Sequence, residues 1–149
     1  MEYVILYGSQ TGNCEQIAKE LTSILEPNMA ITCMTMNEFI HDETKPQTLF
    51  IICSTTGNGD SPDNASLFWR KIKNRKVPAT YFQNTHYFVV GLGDTNYNHY
   101  CRMGKLIYQR MKELGSQSLG DIILIDEVQD LEEQVEDMYK VVLPLFRSE

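Results

Sequence analysis

Three polar stretches hold most of the residues whose types and spacing could do chemistry. The first is Ser9-Gln10-Thr11-Gly12-Asn13, followed by Cys14. It separates an apolar run from a helical pattern. Hydroxyls and N–H groups at a helix N-terminus make an anion site, and glycine lets the backbone approach the anion. The loop has no Lys or Arg, which suits a monophosphate held by N–H and O–H donors better than a triphosphate. The same residues would also serve as a plain N-cap and turn. The second stretch, Ser54-Thr55-Thr56-Gly57-Asn58-Gly59-Asp60, can curl against a planar ring with a backbone free to reorient. The third runs from Gly91 to Cys101. It offers backbone donors in Leu92-Gly93-Asp94 and aromatic faces in Tyr97 and Tyr100, which could stack on a ligand or pack on the following helix.

Other chemistries fail on spacing. A phosphate-binding loop of the G-x-x-x-x-G-K-[ST] kind would need a Gly at position 13, where Asn13 stands, and a Lys after it. Gly91-Leu92-Gly93 begins like a dinucleotide fingerprint, but Asn96 occupies the place of the third glycine. His41, His86 and His99 have no acid or nucleophile at a convincing spacing, and there is no G-x-S-x-G elbow. A phospho-receiver would need acidic residues where the chain has Tyr7-Gly8-Ser9. Hydrolase, kinase and receiver readings are set aside.

The elements that must position these loops can be read from hydrophobic period. Tyr3–Tyr7, Leu49–Cys53 and His86–Val90 are short apolar runs, as expected of strands buried on both faces. Residues 29–34 and Ile122–Ile125 read as further strands. Cys14, Ile17, Ala18, Leu21 and Leu25 recur at helical spacing before Pro27; Ala65, Phe68, Trp69 and Ile72 do so again. Met103, Leu106, Ile107, Met111 and Leu114 form a third stripe, stopped by Gly115. Val128, Leu131, Val135, Met138 and Val142 form a fourth. The order β-α-β-β-α-β-α-β-α predicts a parallel α/β sheet covered on both faces. The span between residues 35 and 48 is short for a crossover helix. In such a sheet, ligands bind beyond the carboxyl ends of the strands, where the strand order reverses. All three polar stretches fall at those ends. A phosphate anchor, a flexible glycine turn and stacking aromatics in one place suit a flavin mononucleotide.

Composition bounds the rest. With 149 residues, 42% hydrophobic and 22% charged, the chain reads as one globular domain over 1–149. The net charge of −7 argues against non-specific nucleic-acid binding. Seven carboxylates and no Lys or Arg fall in residues 126–137, so the remainder is balanced. That acidic run is either a solvated helix face or a docking surface for a basic partner. Cys14, Cys33, Cys53 and Cys101 show neither a C-x-x-C motif nor metal-ligand spacing, so no metal site is expected. With no signal peptide visible and no membrane segment, a reducing cytoplasm is the expected setting.

Taken together, Tyr7–Asn13, Ser54–Asp60 and Gly91–Asp94 through Tyr97-Asn98-His99-Tyr100-Cys101 resemble the FMN-binding domain of the diflavin reductases. The resemblance runs from about Val4 into the last helix, in the family's order and spacing. It implies a flavodoxin-like, doubly wound, five-stranded parallel sheet in the order 2-1-3-4-5. Ser9, Gln10, Thr11, Gly12, Asn13 and Cys14 would hold the FMN phosphate. Thr55, Thr56, Gly57, Asn58 and Gly59 would flank the ring, with the Gly57 carbonyl turning toward N5 on one-electron reduction. Leu92, Gly93 and Asp94 would meet the ring or its pyrimidine edge, and Tyr97 would stack on it. Asn98, His99, Tyr100 and Cys101 would complete the third loop. Asp126 aligns with an acidic residue near the ribityl and ring end.

Two departures, Thr56 where several members carry an aromatic and Cys101 where many have Asn, are similar to the methionine synthase reductase branch. The implied function is an oxidoreductase component that takes electrons from an NADPH/FAD module and passes them singly to a protein acceptor. No side chain need act as a catalytic acid or base. FAD and NADP belong to a separate module, for which 149 residues leave no room, so an excised piece or a free-standing partner is expected. The implied partners are that module and a basic-surfaced acceptor, with the domain itself a monomer. A free-standing flavodoxin carrier and a flavin-less interaction module are the alternatives.

Overall fold

The computed structural model describes residues 3–41 and 45–146. Parallel strands β1 (Tyr3–Gly8), β2 (Ile31–Thr35), β3 (Thr48–Ser54) and β4 (His86–Gly93) are joined by helices α1 (Asn13–Leu25), α2 (Met36–Phe39) and α3 (Ser66–Ile72). Helix α4 (Arg102–Glu113), strands β5 (Gln117–Ser118) and β6 (Ile123–Asp126), and helix α5 (Leu131–Val142) complete the domain. The sheet runs β2-β1-β3-β4, with β5 and β6 both paired to β4 at the far edge. The expected order 2-1-3-4-5 therefore holds, with the fifth position divided. Strand β5 pairs with His86 and Tyr87, and β6 with Val90 to Gly93. Between them the Ser118 side chain accepts from the Gly120 N–H, making a small turn that interrupts the edge.

The apolar runs form strands because alternate side chains fill two different cores. Val4, Leu6, Leu49, Ile51, Tyr87 and Val89 face α2, α3 and α4. Ile5, Tyr7, Phe50, Ile52, Phe88 and Val90 face α1 and α5. Phe50 and Phe88, neighbours across β3 and β4, stack with ring centroids 5.4 Å apart. Burying residues of both parities explains why these strands read as continuous rather than alternating.

The short span after β2 holds one helical turn. Thr35 and Glu38 cap it reciprocally, the Glu38 N–H donating to Thr35 Oγ1 and the Thr35 N–H to Glu38 Oε1. One expectation shifts at the last helix. Asp130 takes a left-handed φ of 46°, so the helix starts at Leu131. Val128 lies outside it and is 52% exposed; the core-facing stripe narrows to Met138 and Val142, which are buried, with Leu131 and Val135 partly buried against them.

Candidate functional site

Strand order reverses between β1 and β3, and the three polar loops meet at that end of the sheet. Their union rests on bonds between distant segments. The Thr55 N–H donates to the Leu92 carbonyl at 3.1 Å, and the Met103 N–H donates to Thr55 Oγ1 at 2.9 Å. Arg102 Nη1 donates to the Gly59 carbonyl at 2.7 Å, so α4 holds the second loop at two points. The Ser9 N–H donates to Asn64 Oδ1 at 2.9 Å, anchoring the first loop to the turn before α3.

The first loop curls around Ser9, whose Oγ accepts from the N–H groups of Gly12 (2.9 Å) and Cys14 (3.3 Å) at the head of α1. Gly12 sits at φ 95°, with no neighbouring atom within 4 Å of where a Cβ would stand. Gln10, Thr11 and Gly12 are exposed, and Ser9 and Asn13 half-buried. The Cys14 side chain is fully buried in the core beneath α1, leaving its backbone as what it offers the loop. Burial and the nearby Cys53 and Glu127 push its thiol pKa well up.

In the second loop, the Gly59 N–H donates to the Thr56 carbonyl at 2.9 Å and the Asp60 N–H to Thr56 Oγ1 at 3.1 Å. The glycine at left-handed φ is Gly59, at 86°, rather than Gly57. A Cβ on Gly59 would meet His99 Cγ at 2.8 Å; one on Gly57 would rest against Tyr97, 3.6 Å from its ring. Gly57, Asn58, Asn98 and His99 are exposed, and Thr55 and Thr56 half-buried. Tyr97 is 54% exposed, an unusual position for a large aromatic and a free face beside Gly57.

Leu92, Gly93 and Cys101 are buried, and Tyr100 and Asp94 half-buried. The Leu92 side chain packs under α1 and α5. Cys101 stands at φ 53° immediately before α4, and its Sγ donates to the Gly91 carbonyl at 3.3 Å. Burial pushes the Cys101 thiol up to about 11. A left-handed φ suits Asn better than Cys.

Asp126, expected at the rim, is only 7% exposed and turns toward the third loop. Its Oδ2 accepts from Thr95 Oγ1 at 2.6 Å and its Oδ1 from the Val128 N–H at 3.2 Å. The Thr95 hydroxyl first, then the backbone donors, hold its carboxyl below the ordinary range. The carboxylate that enters the site is the neighbouring Glu127. Its Oε1 accepts from Asn13 Nδ2 at 2.7 Å and from Thr11 Oγ1 at 3.3 Å. Asn64 and Arg102 carry no motif that sequence reading could have used, whereas Glu127 lies in the acidic run 126–137 and Thr95 in the third polar stretch. A cleft of about 600 Å³ between α1 and α5 shares only Asn13 with the three loops. Among the described residues no cluster of three or more His, Cys, Asp or Glu could hold a metal ion, and no helix is long and apolar enough to cross a membrane.

An open doubly wound sheet with its loops gathered at the switch point is the architecture of the flavodoxins. The flavodoxin family matches residues 5–138, and the chain belongs to that family, whose cofactor is FMN. It is 34% identical to methionine synthase reductase of Mus musculus over 137 residues, 90% of this chain and 20% of the relative. It is 31% identical to NADPH-dependent diflavin oxidoreductase 1 of Cryptococcus neoformans over 153 residues, 95% of this chain and 25% of the relative. These relatives set it among the flavodoxin-like domains of diflavin reductases, and it spans about a fifth to a quarter of their length. The structure of a C101S mutant of flavodoxin from Pseudomonas aeruginosa superposes with a TM-score of 0.77 at 23% identity, covering 99% of this chain and all of the other. At that identity the likeness is one of fold.

Proposed function

We propose that this chain is an FMN-binding electron-transfer domain that receives electrons from an NADPH/FAD reductase module and passes them singly to a protein acceptor. One observation carries the reading. A helix N-terminus lined by Ser9, Thr11 and Asn13 lies at the same sheet end as the exposed ring of Tyr97, with no Lys or Arg in the loop. Hydroxyl, amide and N–H donors there fit a phosphate monoester, and the open face at Gly12 leaves room for its approach.

FMN supplies the one-electron redox chemistry when bound, and the protein's part is binding, orientation and tuning. Ser9 to Cys14 hold the phosphate. Thr55 to Gly59 flank the ring, with Tyr97 offering a stacking face. Leu92, Gly93 and Asp94 line its polar edge, and Asn98, His99, Tyr100, Cys101 and Asp126 hold the third loop in shape. The methionine synthase reductase branch fits both Thr56 and Cys101. Four free cysteines accord with a reducing, cytoplasmic setting.

Flavin fluorescence titration tests this. FMN should bind one to one, and riboflavin much more weakly, because riboflavin lacks the phosphate group that the loop's donors would bind. Thr11→Ala should weaken FMN by roughly 1–3 kcal/mol, the cost of one hydrogen bond to a charged group. Equal affinity for the two flavins would refute the phosphate assignment.

A further inference from the structure

Glu127 leaves the end of β6 and reaches across the sheet into a loop 114 residues away. Its N–H donates to the Gly93 carbonyl at 2.7 Å, which fixes the backbone where the side chain departs. Its carboxylate accepts from Asn13 Nδ2 (2.7 Å) and Thr11 Oγ1 (3.3 Å), two of the side-chain donors assigned above to the phosphate. We infer that Glu127 competes with the FMN phosphate for Thr11 and Asn13, and so restrains both FMN affinity and the preference for FMN over riboflavin. This inference rests on the FMN reading.

Donor accounting supports competition over cooperation. An ionised carboxylate only accepts, and a threonine hydroxyl has a single proton to give. Thr11 can therefore serve Glu127 or a phosphate oxygen, but not both at once. Asn13 has two amide protons and can serve each anion with one. Two anions would then share one helix N-terminus, whose partial positive charge favours a negative group there but does not neutralise two. The loop itself brings no cation to help. Lys19, nearly two turns into α1, is engaged by Glu15 at 2.6 Å. Glu127 is thus placed to oppose the phosphate by charge and by occupying its donors. Riboflavin, which lacks the phosphate, should not register either effect.

Glu127→Gln keeps the side-chain shape and one acceptor oxygen while removing the charge. FMN should bind this variant about tenfold more tightly than the wild type, since like charges at close range are costly. Riboflavin affinity should change less than about twofold. In a Thr11→Val background the gain from Glu127→Gln should shrink to less than about threefold, a coupling that a double-mutant cycle reads directly. Glu127→Ala, which removes the acceptor as well, should also bind FMN more tightly. If Glu127 instead orients the loop for phosphate, Glu127→Gln will bind FMN no better than wild type and Glu127→Ala worse; either result overturns the inference. Wild-type binding is measured first. Absence of FMN binding there would defeat the FMN reading itself, and a wild type that binds beside variants without gain would defeat only the role of Glu127.

Discussion

Two glycines at positive φ show how differently single residues can be constrained at this site. Gly12 and Gly59 both adopt left-handed backbone, which costs an L-residue roughly 1–2 kcal/mol. Around Gly12 a Cβ has open space, so Gly12→Ala should cost about that conformational penalty. At Gly59 the same Cβ falls 2.8 Å from His99 Cγ, adding a clash. Gly59→Ala should therefore lower stability more than Gly12→Ala in urea unfolding, and His99→Ala should recover part of the difference. If the two alanine variants lose equal stability, the packing of His99 against Gly59 contributes nothing. Cys101 pays the same conformational penalty without being glycine, and its buried Sγ bonded to the Gly91 carbonyl is the compensating contact.

At the scale of elements, the site is held by ties between strand ends and the loops of other strands. The bond from Thr95 to Asp126 joins the loop after β4 to the end of β6. Gln134 reinforces it from α5, its Oε1 accepting from the Asp126 N–H at 2.9 Å and its Nε2 donating to the Asp126 carbonyl at 2.8 Å. Because the Asp126 carboxyl titrates lower in the folded protein than the usual value near 3.9, it contributes stability at pH above that value. The contribution is lost as pH falls through the lower, folded value. Asp126→Asn and Thr95→Val should each lower the melting temperature at neutral pH, with the gap to wild type closing below about pH 4. A gap that stays constant down to pH 2 would show that the carboxylate charge is not what the tie depends on.

Over the whole molecule, charge is unevenly spread around a balanced body. Asp130, Glu132, Glu133, Glu136 and Asp137 are exposed on or beside α5, and Asp60 and Asp63 are exposed near the second loop. Asp126 drops out of this patch because it is buried, and Asp94 is half-buried with its Oδ1 accepting from the Asn96 N–H. A single-sign surface near a redox centre raises encounter rates more than final affinity, and its reach is about 8 Å at physiological salt. Transfer between the FMN-loaded chain and a diflavin reductase's NADPH/FAD module, followed by stopped flow, should therefore slow as salt rises. Asp60→Asn with Asp63→Asn should slow it at low salt without changing FMN content. Rates indifferent to salt and to these changes would make the acidic surface a solvated face and no more.

What the sequence by itself determined was local and periodic. Continuous apolar runs such as Leu49–Cys53 read as strands buried on both faces, and the stripe from Cys14 to Leu25 as a helix against them. The polar residues between them then fell at the carboxyl ends of parallel strands, where a βα connection must place its loop. Even Gly115 as a helix stop, with φ 88°, was legible, because the demand is met by one residue. Tertiary structure alone decided which side chains share the site. Asp126 and Glu127 are adjacent and both acidic, yet one is turned inward to Thr95 and the other outward to Thr11 and Asn13. Alternation along a strand says that neighbours face opposite ways, but the partner on each face comes from a segment more than 30 or 100 residues distant. The hold of Arg102 on Gly59 and that of Met103 on Thr55 have the same origin. Each is fixed by where another element packs, and hydrophobic period carries no record of that.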